Sequence, residues 1–73
     1  MTTTTLDTLT PGDIATITAT AGADAPLLRA MGLREGMVVT VKRTGEPCIV
    51  ETGNTRLGLA SVLSGAIEVI PRV

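Results

Sequence analysis

Residues 27–36, LLRAMGLREG, place the tightest local constraint on what this 73-residue chain can fold into. Leu27, Leu28 and Met31 have the spacing of one helical stripe, with Arg29 on the far side. Gly32 then stops the helix, because glycine enters the left-handed region without a Cβ clash. In that frame Leu33 packs back on Leu28, the apolar contact that accompanies such a cap. Gly36 follows, and the chain turns directly into the alternating, β-branched segment MVVTVKR at 37–43. A helix this short does not persist in water, so tertiary packing has to hold it. The arrangement fits a small β-barrel with one helix let into it.

The rest of the chain reads as short strands and tight turns. Thr10-Pro11-Gly12-Asp13 is a turn signal, with proline pre-setting φ and Gly12 supplying a positive φ after it. The spacing predicts a first strand at 14–20, a loop at 21–25 and a helix at 26–31. Pro26 suits a first helical turn, and Asp24 suits the positive end of the helix dipole. In the second strand, 37–43, Met37, Val39 and Val41 share one face and Val38, Thr40 and Lys42 the other. Gly45-Glu46-Pro47 connects to a third strand at 48–52. Gly53-Asn54 is a hairpin signal with glycine first, followed by a fourth strand at 55–60 that directs Leu57 and Leu59 inward. A helical turn at 61–65 and a closing strand at 67–70 complete the chain. About five short strands with tight turns predict a mainly β, small, partly open barrel, with the short helix inserted between the first two strands. Gly12, Gly32, Gly36 and Gly53 are its structural turns.

What is missing narrows function further. The chain has no His, Phe, Tyr or Trp and a single Cys. Without His, a Cys or Ser nucleophile lacks its usual base. The seven carboxylates, Asp7, Asp13, Asp24, Glu35, Glu46, Glu51 and Glu68, are scattered singly, as solvated surface acids are. Cys48 at a strand start reads as a small apolar side chain, so neither a soft-metal site nor a cofactor site is expected. Zero aromatics and a net charge of −1 argue against nucleic acid, which is held by basic fields and stacking. No apolar run approaches the roughly 20 residues that cross a bilayer. The first residues, MTTTT, lack the basic start and apolar run of a signal peptide, so residues 1–5 are expected to be a disordered tail and the location cytoplasmic. By elimination the chain binds protein and performs no chemistry, so no enzymatic activity is expected. A 44% apolar share with only 18% charged residues leaves apolar area for such a contact.

The ordered set LLRAMGLREGMVVTVKR, GEPCIVET, TRLGLA and AIEVI resembles the ferrous iron transport protein A (FeoA) family. The Gly45-Glu46-Pro47 turn is similar to that family's Gly-Asp-Pro turn, and Ala66-Ile67-Glu68-Val69 to its closing strand. The resemblance implies an SH3-like barrel over 6–73 and a role in bacterial ferrous iron uptake. Its implied partner is FeoB, a membrane transporter with a cytosolic GTPase domain, so the chain would be peripheral at the inner membrane through that partner. Similar barrels end iron-dependent repressors; with no DNA-binding segment ahead of the barrel, a free-standing accessory is the expectation.

The candidate partner-binding residues are Leu27, Arg29, Met31, Arg34, Glu35, Val62 and Leu63. Leu27 and Met31 would contribute apolar area, although Leu28, Met31 and, by a narrower margin, Leu27 also read as barrel core. Arg29, Arg34 and Glu35 would set orientation at the rim. Where FeoA relatives commonly carry charged residues, this chain has Ala60-Ser61-Val62-Leu63-Ser64-Gly65, which leaves Val62 and Leu63 as apolar surface. The alternatives are a self-associating scaffold barrel of an iron-related complex, joined through strand edges or through Val62 and Leu63, a stand-alone relative of the repressor domain, and a direct iron carrier using carboxylate oxygens.

Overall fold

A computed structural model describes residues 3–20 and 25–72. Six strands form one antiparallel sheet: β1 (Thr4–Thr5), β2 (Ile14–Thr20), β3 (Val38–Arg43), β4 (Cys48–Thr52), β5 (Thr55–Leu59) and β6 (Ile67–Arg72). Their order across the sheet is β1-β6-β2-β3-β4-β5. Two short helices, α1 (Ala25–Ala30) and α2 (Ser61–Ser64), and a 3-10 turn at Leu6–Thr8 complete the fold. The sheet curls into a small, partly open SH3-like barrel. Register shifts at Ile17/Ala19 in β2 and Val41/Arg43 in β3 help it bend, since a bulge locally increases strand twist.

Alternation along each strand sets the core. Ala15 and Ile17 of β2, Val39 and Val41 of β3, Cys48 and Val50 of β4, and Ile67 and Val69 of β6 are buried on the inner side. Leu6, Leu9, Leu28, Leu33 and Leu59 belong to the same core, with Met31, Met37, Leu57 and Leu63 packed against it. Thr52 and Thr55 pair across Gly53-Asn54, where Gly53 has φ +59° and Asn54, like the other described non-glycine residues, has no positive φ. That combination is the type II′ hairpin turn, whose twist matches the flanking strands.

Several boundaries differ from the sequence reading, each for a tertiary reason. Among the described residues six strands form, one more than the approximate five expected. Thr4 and Thr5, expected within a disordered tail, pair with Val69 and Glu68 of β6, and Leu6 anchors them from a fully buried position. The closing strand runs two residues past its expected end, to Arg72, because Pro71 and Arg72 lie opposite Ala15 and Ile14 of β2. Met37 belongs to the turn before β3, its N–H donating to the Arg34 carbonyl at 3.1 Å. Ala25, expected in the loop, opens α1, and the helix ends at Ala30 rather than at Met31. The remaining loop residues, with Asp24 expected at the positive end of the helix dipole, lie outside the described residues.

Candidate protein-docking surface

The described segment 25–37 ahead of β3 carries most of the candidate residues, and its geometry is closely fixed. At the end of α1, the Gly32 N–H donates to the Arg29 carbonyl at 2.9 Å and the Leu33 N–H to the Leu28 carbonyl at 2.9 Å. With Gly32 at φ +89°, this pair of bonds is the Schellman cap. Residues 34–37 then form a turn with Gly36 in its third position, at φ +91°. This turn is bonded to β2 from both sides: Gly36 donates to the Ile17 carbonyl at 2.8 Å, and Ile17 donates to the Met37 carbonyl at 2.8 Å. Arg34 and Glu35 therefore project from a backbone held by the sheet rather than from a free loop.

The side chains divide by burial. Leu28 and Leu33 are fully buried. Met31 is half-buried and packs on the core. Leu27, which the sequence places narrowly in the core, is instead half exposed at 50%. Arg29, Arg34 and Glu35 are exposed. Leu27 precedes Met31 by one helical turn, the Met31 N–H donating to the Leu27 carbonyl at 3.0 Å. An apolar strip thus runs from core to solvent along α1, with Arg34 and Glu35 exposed on the turn that follows.

Val62 and Leu63 belong elsewhere. They lie on α2, whose main contacts are β5 and the 3-10 turn; Val62 is 69% exposed and Leu63 packs on the core. The start of α2 is held by a contact the sequence does not reveal. Both carboxylate oxygens of Glu46 accept from the Ser61 N–H at 3.1 Å. This caps a helix whose own N-cap, Ala60, has no side chain able to do so. Hydrogen bonding from Ser61, through its side chain first and its backbone second, holds the Glu46 carboxyl below its usual range against a small opposing effect of burial.

Two further exposed apolar residues, Ile14 and Val38, lie on the outer sheet face. The signal for Val38 is present in sequence, where it alternates with Thr40 and Lys42 on the face opposite the core. Beside them Glu51 is paired with Arg56 at 3.2 Å and Lys42 at 3.7 Å, an exposed network of small energetic weight. Cys48 is buried, and burial first, then the Asp7 charge, pushes its thiol up, away from the thiolate that nucleophiles and soft-metal ligands need. Among the described residues, no three Asp, Glu or Cys side chains converge as a metal site would require. Among them too, no helix is long and apolar enough to cross a membrane. What the surface offers is apolar area edged by charge, suited to protein contact.

The comparisons agree with this fold. The structure matches a crystal structure of an iron uptake regulatory protein (FeoA) with a TM-score of 0.90, at 24% identity, covering 99% of this chain and 100% of that one. At that identity the likeness establishes the fold alone. No curated protein sequence matches the chain. The FeoA domain family model, however, matches residues 4–71, almost the whole length. Membership of that family carries an implied role in ferrous iron uptake. The chain belongs to the FeoA family.

Proposed function

We propose that this protein is a non-enzymatic accessory of bacterial ferrous iron uptake that docks on the cytosolic GTPase region of the FeoB transporter. The observation that carries the reading is Leu27: an exposed leucine on α1, on a strip continuous with the core, with Arg34 and Glu35 exposed on the turn that follows the helix. The apolar strip supplies affinity on desolvation, and the charges at its rim supply orientation and discrimination. The hydrogen bonds that tie the 34–37 turn to Ile17 lower the ordering cost of binding, because this backbone is already in place before contact.

The test is binding of purified protein to the detergent-solubilised cognate transporter, with no nucleotide, with GDP and with a GTP analogue. Saturable binding that Leu27→Gln combined with Arg34→Glu abolishes supports the reading. Nucleotide dependence would show that the protein reads the GTPase cycle. Absence of binding in all three states would overturn the accessory role, and undiminished binding by the double variant would overturn the surface.

A further inference from the structure

The β5 edge carries an inference independent of α1. In the β4–β5 hairpin, Thr52 pairs with Thr55, Val50 with Leu57 and Cys48 with Leu59. A two-residue turn makes its flanking residues a hydrogen-bonded pair, and antiparallel alternation extends that status to every second pair. The N–H and C=O groups of Arg56 and Gly58 therefore point away from β4. Strand β5 ends the sheet order, and no backbone partner for either residue exists among the described residues. Both are exposed, so α2, which packs on β5, leaves them open. The strand carries one edge charge, Arg56, but no proline, no inward charge and no bulge in its five pairs with β4.

We propose that the β5 edge is a self-pairing surface, and that its occupant is β5 of a second copy of this chain, joined antiparallel about a two-fold axis at Leu57. In that register Arg56 lies opposite Gly58 of the partner subunit, and all four open residues exchange hydrogen bonds. The pairing also keeps like charges apart. Each arginine faces a residue with no side chain, whereas a register centred on Arg56 would oppose two cations. Glu51 of the neighbouring strand β4, bonded to Arg56 at 3.2 Å, already offsets that charge within each copy. An edge of five residues covers far less than the roughly 1,200 Å² of a standard stable interface, so the dimer is weak and exchanges rapidly.

Sedimentation equilibrium and amide exchange, taken up to about 1 mM protein, test this. The wild-type chain should associate reversibly, with the Arg56 and Gly58 amides gaining protection as concentration rises. A Cβ at position 58 would meet only the Pro47 side chain, at an ordinary 3.8 Å, so charged variants there are compatible with the fold. Gly58→Lys should weaken association about tenfold by facing Arg56 of the partner subunit twice, and Gly58→Asp should strengthen it. A chain still monomeric at the highest concentration would overturn the proposal, as would equal association by both variants. Protection of the two amides only on adding the transporter would assign the edge to a foreign strand instead.

Discussion

The Leu33 backbone N–H donates to the Leu28 carbonyl at 2.9 Å, reaching back across Gly32, while both leucine side chains are fully buried. One glycine thus couples the end of α1 to the core: the bond closes the helix and the two side chains fasten it to the barrel. Because α1 has only six residues, that fastening rather than helix propensity keeps it folded.

Gly32→Val should therefore cost about 1–3 kcal/mol, since a β-branched residue at φ +89° is strained although nothing lies within 4 Å of the new Cβ. Chemical denaturation of the two proteins measures it. Equal midpoints would mean that the cap does not hold α1.

Leu27 and Leu28 are neighbours in sequence with opposite roles, and truncation should separate them. Leu28→Ala should cost about 2–5 kcal/mol, the range for a buried leucine. Leu27→Gln should stay within about 0.5 kcal/mol, as exposed positions do. Thermal melts of both variants decide the matter; a large loss for Leu27→Gln would return this residue to the core and remove it from the docking strip.

Glu46 introduces a pH dependence. Its carboxyl is held below the ordinary 4.5 in the folded chain, so the unfolded chain takes up the proton first as pH falls. The contribution is complete above 4.5 and is lost as pH drops through the lowered folded value. Glu46→Gln should melt below wild type at pH 7, and the gap should close under acid. A constant gap would mean that the amide disturbs packing rather than removing a charged cap.

At the chain start, deleting residues 1–5 should lower stability, because Thr4 and Thr5 carry ladder partners on β6. Leu6→Ala should cost about 2–5 kcal/mol, this residue being fully buried beside them. Denaturation midpoints unchanged by the deletion would show that β1 adds nothing beyond Leu6.

Gly53→Ala should loosen the β4–β5 hairpin, since φ +59° carries a penalty for any residue with a Cβ. Faster amide exchange at Thr52 and Thr55 is the expected sign. Unchanged exchange would argue that the strands, not the turn, hold the register.

Local chemistry made much of this fold legible. Period-2 alternation located β2, β3, β4 and β5 to within a residue, and the Gly53-Asn54 pair fixed one hairpin, because both signals act within a few residues. The candidate surface was legible in part for the same reason: helical spacing grouped Leu27, Leu28 and Met31 on one stripe. Spacing cannot say how deep each residue of a stripe sits, so Leu27 emerged at the surface only once α1 was docked.

Residue identity and short spacing were enough to say where the chain turns and which face of each strand is apolar, since both signals act locally. Tertiary structure alone decided the rest. It recruited Thr4 and Thr5 into a strand by offering them the backbone of β6, more than sixty residues away. It brought Glu46 to the start of α2, a contact spanning 15 residues. It left Arg56 and Gly58 on an open edge by placing β5 last in the sheet. Each of these is a hydrogen-bond partner, or the want of one, fixed by distant chain segments, and no local pattern encodes that.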